Sequence, residues 1–85
     1  MNTSSRAAKV LKAMGHPVRL EMVRGLAGDG CNVNKIVRTL GLPQSTVSQH
    51  LNVLKAAGII RGEREGVRIC YRVIDKLALS ILDLM

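Results

Sequence analysis

Aromatic residues are almost absent from this 85-residue chain: Tyr71 stands alone, with no Trp and no Phe. Proteins that grip single-stranded nucleic acid stack bases on several rings, and the RNA-binding sheet domains need rings too. One tyrosine cannot build that platform. Cysteine is nearly as scarce. Cys31 and Cys70 are the only two, with no paired ligand spacing around either, which excludes a disulfide scaffold or a zinc-nucleated fold. No apolar run reaches the length of a membrane span, and Met1–Arg6 leads into no signal-peptide core before Lys9 and Lys12. Catalytic groupings are missing as well. Neither Cys has an evident His-Asp partner, the acids form no close inward pair, and Gly28-Asp29-Gly30 is a turn rather than a phosphate loop. The expectation is a protein that is not an enzyme and carries no cofactor.

What is present is positive charge. Thirteen Lys and Arg face six Asp and Glu, a formal net charge of +7. At 47% hydrophobic, with its charges dispersed, the chain has the composition of a folded protein. It fits one small domain, 1–85, expected to be soluble and cytosolic with no membrane partner. A polyanion is the natural partner of such a chain, and duplex DNA, read by polar side chains and backbone, needs no rings.

Apolar spacing predicts the elements. Ala7, Val10, Leu11 and Met14 mark one face of a first helix that Gly15 ends. Pro17 suits the first turn of a second helix, with Leu20, Val23, Leu26 and Ala27 as its apolar members. Asn32 caps a third with Val33, Ile36, Val37 and Leu40. After Gly41-Leu42-Pro43 a fourth runs from about Gln44 to Ala57, with Val47, Leu51 and Leu54 inward. The period then changes to two. Val67, Ile69, Tyr71 and Val73 alternate with Arg68, Cys70 and Arg72, pairing with Ile59–Arg64 across a Glu65-Gly66 turn. A last helix starts near Asp75 and runs to Met85. The fold class is mainly α with a small β-hairpin: five helices and a two-stranded wing, spanning a helix-turn-helix at 32–57 and a wing at 59–73.

Two short helices joined by a three-residue Gly-containing turn form the helix-turn-helix pattern. On the second of them Ser45, Ser48, Gln49 and Asn52 recur at i, i+3, i+4 and i+7. A face kept only for solvation is usually written with Glu, Lys and Arg. From Asn32 through Leu54 there is no acidic residue, as a face entering the major groove requires. Arg61, Arg64, Arg68 and Arg72 then load the hairpin with cations. The alternative is a charged edge hairpin kept soluble by its arginines, with Glu63 and Glu65 pairing to them locally.

Gly15-His16-Pro17-Val18-Arg19-Leu20, Leu42-Pro43-Gln44-Ser45-Thr46-Val47-Ser48-Gln49-His50-Leu51, Leu54-Lys55-Ala56-Ala57-Gly58-Ile59-Ile60 and Gly66-Val67-Arg68-Ile69-Cys70-Tyr71-Arg72 resemble the arsenic-repressor (ArsR) family of bacterial winged-helix repressors. The resemblance covers about Ala7 to Leu84. It implies that Gln44, Ser45, Ser48, Gln49 and His50 face DNA, that Arg64 and Arg68 belong to the wing, and that the first and last helices, 5–14 and 75–85, form a homodimer. Thr46 and Asn52 on the same helix, and Lys35 and Lys55 as phosphate contacts, complete the candidate DNA-binding set. The last helix supports the dimer independently: seven of its ten residues from Lys76 to Met85 are apolar, more than an 85-residue domain can surround. A twofold dimer would meet a pseudo-palindromic operator. The rival reading is a winged-helix module that holds a partner protein and never touches DNA.

The metal sites of that family are not matched. Its Cys-x-Cys pair falls near Asn32 and Asn34, with Cys31 one position off, and no histidine follows His50. No metal or small-molecule ligand is expected. Cys31 and Cys70 are a candidate redox pair. Helix-terminal amides favour thiolate at Cys31, and the arginine-bearing strand face favours it at Cys70; the alternative is two small half-buried fillers. His16 reads as a helix-start residue, and His50 divides between a phosphate donor and a packing role.

Overall fold

Gly15 closes one helix, its amide donating to the Leu11 carbonyl at 2.8 Å, and His16 starts the next: its Nδ1 accepts from the Val18 amide at 3.1 Å, and Pro17 occupies the first turn. The same logic punctuates the rest of the chain. The computed structural model describes residues 3–85. It contains α1 (Thr3–Met14), α2 (Pro17–Gly28), α3 (Val33–Leu40), α4 (Gln44–Ala56), β1 (Ile60–Glu65), β2 (Arg68–Val73) and α5 (Lys76–Asp83). Five helices and an antiparallel hairpin are thus the observed architecture, in the expected order. Met1 and Asn2, part of the segment read as having no signal sequence, lie outside the described residues. No helix among the described residues is long and apolar enough to cross a membrane.

Asn32 caps α3 by accepting from the Lys35 amide at 3.3 Å. Gly41, at φ 66°, closes α3 in the left-handed conformation that a Cβ would penalise. The expected apolar stripes then meet. Val10 and Met14 of α1, Val23 and Leu26 of α2, and Val47, Leu51 and Leu54 of α4 are buried together with Ile59 and Ile60. Each fully buried side chain of this size stabilises the fold by about 1.5–3 kcal/mol relative to exposure. Two positions differ from the spacing argument. Leu11 and Ala27 are exposed, and Ala13 and Met22 fill the core in their place. A helix crossing its neighbours at an angle presents a stripe that drifts around the axis, so the edge members exchange.

The hairpin needs two corrections. Glu65 pairs with Arg68, so the two-residue turn is Gly66-Val67 rather than Glu65-Gly66, with Gly66 at φ 65°. Positive φ at the first central position matches the twist of a two-residue hairpin. The alternation also fails beyond the root: Val67 is fully exposed and Ile69 about half, while Cys70 is 4% exposed. The outer half of the wing overhangs the core, so its apolar face has nothing to pack on. Cys70, expected on the arginine-bearing strand face with a half-buried filler as the alternative, is buried under the α2–α3 turn. There the Tyr71 amide donates to the Gly30 carbonyl at 2.9 Å. A Cβ at position 30 would collide with the Tyr71 carbonyl, so glycine is required for this approach. Cys31 and Cys70 are joined as a disulfide across the same contact, their Cα atoms 4.1 Å apart.

Asp75 starts α5 by accepting from the Ala78 amide at 2.9 Å. α5 packs on α1, with Leu77, Ala78, Ile81 and Leu82 toward the core. Leu79, Leu84 and Met85 remain exposed, together with Leu11 of α1 and Ile74.

Candidate nucleic-acid interface

α4 is an amphipathic helix with a hydroxyl-and-amide outer face. Val47, Leu51 and Leu54 anchor it in the core. Gln44, Ser45, Ser48, Gln49 and Asn52 are all exposed and Thr46 is partly so. Pro43 precedes the helix and no side chain caps its first amides. An uncapped N-terminus with no acid in its first turn favours anions through its N–H groups and its dipole.

His50 sits at the edge of this face, half-buried. Its ring centroid lies 4.8 Å from that of His16, and its Nδ1 is 3.4 Å from Arg19 Nη1. Arg19 is itself held by donating from Nε to the Ala13 carbonyl at 2.6 Å. Burial first, then the neighbouring His16 and Arg19 charges, lower the His50 pKa from its ordinary 6.5. The geometry therefore gives His50 a packing environment.

The cations divide into two sets. Arg61 and Arg72 pair with Glu63, at 3.4 and 2.9 Å, so the local pairing expected of Glu63 occurs. Arg64 and Arg68 are exposed and make no ion pair among the described residues. The register puts them on opposite faces of the wing, since Arg64 lies across from Ile69 and Arg68 across from Glu65. Lys55 of α4 reaches the wing root, its Nζ 5.7 Å from the centroid of Tyr71. Lys35 is exposed on α3. The hydroxyls and amides of α4 and the guanidinium groups of the wing are thus exposed on neighbouring elements, with Lys55 linking α4 to the wing root.

Residues 14–63 match the family described as a helix-turn-helix domain. A helix-turn-helix-type transcriptional regulator of Methanocaldococcus jannaschii is 40% identical over 86 residues, which cover 100% of this chain and 97% of that one. The transcriptional repressor SmtB of Mycobacterium tuberculosis is 44% identical over 91% of this chain, which spans 58% of SmtB's own length. Among solved structures, the repressor PagR of Bacillus anthracis superposes with a TM-score of 0.85 at 36% identity, covering 96% of this chain and 94% of that one. A homodimeric winged helix-turn-helix DNA-binding domain from Mycobacterium bovis, a possible ArsR-family regulator, superposes at 0.77 with 30% identity, over 94% of this chain and 74% of that one. The chain belongs to the ArsR family of winged helix-turn-helix regulators. Members of the ArsR family are transcriptional regulators, not enzymes.

Three relationships within this ArsR-family chain escaped the sequence: the His16–His50–Arg19 cluster, Lys55 over Tyr71, and Glu65 at the sulfur pair. Glu65 Oε2 lies 2.9 Å from Cys70 Sγ and 3.4 Å from Cys31 Sγ. Parity gives part of this in advance, because Glu65 and Cys70 share a face once the turn is placed at Gly66-Val67. Cys70 shares its strand face with Arg68 and Arg72, as expected, and the structure adds two acids to that face: Glu63 across the ladder, paired to Arg72, and Glu65 at contact.

Proposed function

We propose that this protein is a homodimeric, sequence-specific repressor that binds a pseudo-palindromic duplex operator. One observation carries the reading: α4 holds an exposed, carboxylate-free stripe of Ser45, Ser48, Gln49 and Asn52 on a rigid apolar anchor. Gln49, Ser45 and Ser48 read base edges in the major groove, where amide and hydroxyl groups match the donors and acceptors on offer. Gln44, Thr46 and the uncapped first turn of α4 hold phosphates beside Lys35 and Lys55, and His50 closes the edge of the contact. Arg64 and Arg68 place the wing on the backbone or in the minor groove.

Homodimerisation is supported by the apolar residues left open on α1 and α5, Leu11, Leu79, Leu84 and Met85, and by the homodimeric relative. Each copy has no room to bury them itself.

A second reading adds regulation by thiol oxidation. The disulfide joins the α2–α3 turn to the wing strand, so its reduction releases a constraint between the helix-turn-helix and the wing. Mass spectrometry of peroxide-treated protein would show the Cys31–Cys70 linkage together with altered DNA binding. A protein lacking the linkage, with unchanged binding, rules the redox response out.

Fluorescence anisotropy with promoter duplex and scrambled duplex, in a salt series, tests the main reading. Tight binding that weakens steeply with salt and prefers the promoter supports it. Equal, weak binding to both duplexes refutes it in favour of a module that binds protein.

A further inference from the structure

Among the described residues one group of three side chains has the makings of a metal centre: Cys31, Glu65 and Cys70, whose ligand atoms all lie within 4.8 Å of one another. They come from three segments, the α2–α3 turn, the end of β1 and the middle of β2. The backbone holds the cysteines together independently of the sulfur–sulfur bond. The Tyr71 amide donates to the Gly30 carbonyl, and Asp29 Oδ1 accepts from the Cys31 amide at 3.2 Å.

Glu65 is the informative member. Its carboxylate rests on both sulfurs, yet a disulfide has no S–H for it to accept. Among the described residues Glu65 makes no ion pair. Thiols tuned for oxidation alone sit in electropositive surroundings; Arg68 and Arg72 share the Cys70 face, but the side chain in contact with both sulfurs is a carboxylate. It is the arrangement that a cation recruits.

We infer that the reduced protein binds one thiophilic divalent cation of the zinc and cadmium class through Cys31 Sγ, Cys70 Sγ and Glu65. Two thiolates and one carboxylate leave a fourth, solvent-filled position on a tetrahedral ion. The mixed sulfur and oxygen set suits zinc better than the all-sulfur preference of monovalent copper. Rotation about each Cα–Cβ bond opens the sulfurs to the span of about 3.8 Å that two 2.3 Å bonds to a tetrahedral ion require. A groove of about 360 Å³, lined by Gly30, Cys31, Cys70 and Arg72, gives access to the pair. The chemistry balances. A thiol or phosphine reductant supplies two electrons, and with two protons from water the disulfide becomes two thiols. The ion then displaces those two protons into solvent. Disulfide and metal are therefore exclusive occupants of one site, distinct from the Asn32 and Asn34 positions.

The test uses the whole chain, reduced with a phosphine under nitrogen, its free thiols counted by alkylation and mass spectrometry. Titration with cadmium should raise a thiolate-to-cadmium absorption band that breaks at one ion per chain. Zinc, in competition with a chromophoric chelator, should bind with the same stoichiometry. C31S and C70S should lose the saturating band. E65Q, at an exposed strand end, should keep the two-thiolate band with its circular dichroism unchanged and bind at least tenfold more weakly. The inference is overturned by a wild-type protein with no break at one ion, by E65Q binding as tightly as wild type, or by a disulfide that resists reduction. DNA is absent from every arm, so the outcome is independent of the repressor reading.

Discussion

The Asp75 carboxylate joins two helices that are far apart in sequence: one oxygen accepts from the Ala78 amide at the start of α5, and the other lies 3.6 Å from the Arg6 guanidinium of α1. The partners contribute unequally. Asp75 is 6% exposed and Arg6 73%. Asp75→Ala removes a helix cap and should cost about 1–2 kcal/mol. Arg6→Ala breaks only a screened ion pair and should cost less than about 1 kcal/mol. Thermal melts followed by circular dichroism separate the two, at about 4–8 °C per kcal/mol for a domain this size.

Under the proposed reading, Gln49 and Arg68 fail in different ways. Gln49→Ala should lose about 1–3 kcal/mol on the operator and relax the preference at one base position. Arg68→Ala should weaken operator and random duplex alike and lower the salt slope by about 1. Equal losses on both duplexes for Gln49→Ala would remove it from base recognition.

The open residues of α5 test the assembly. Leu79→Glu together with Leu84→Glu should turn a dimer into a folded monomer in analytical ultracentrifugation, since both side chains are exposed in the single chain. The same double variant should lose most of its operator affinity, because two linked half-sites become one. A wild-type protein that sediments as a monomer at micromolar concentration would end this account.

Acid should destabilise the His50 cluster. The folded pKa of His50 is lowered, so between that value and 6.5 the unfolded chain holds more proton than the folded one, and stability rises with pH. The contribution is fully present above pH 6.5 and is lost as pH falls through the folded value. Urea midpoints from pH 7.5 to 5 should fall more for wild type than for His50→Gln, whose side chain does not titrate.

The helical part of the fold was legible because its information is local. Spacing found Val10, Val23, Val47, Leu51 and Leu54, and Asn32, Gly41 and Asp75 marked element ends at the residues where the structure has them. The wing was less legible, since its exposures depend on what lies beneath it. Val67 and Ile69 read as the inward positions of a half-buried strand but overhang empty space, while Cys70, read as a candidate redox thiol on an arginine-bearing face or a half-buried filler, lies under the α2–α3 turn. The polar stripe of α4 was plain from sequence. The contacts of Glu65 and His50 were not, because their partners come from other segments.

A two-stranded hairpin alone is at best marginally stable in water. Here its order is borrowed from Gly30, which accepts the Tyr71 amide and admits no side chain. The aim of the wing arginines is thus set in part by a glycine of the α2–α3 turn, far from them in sequence. Inheritance would then guard position 30 as strictly as the cations themselves, and a lesion there would look like a defect in recognition while the helices stayed whole.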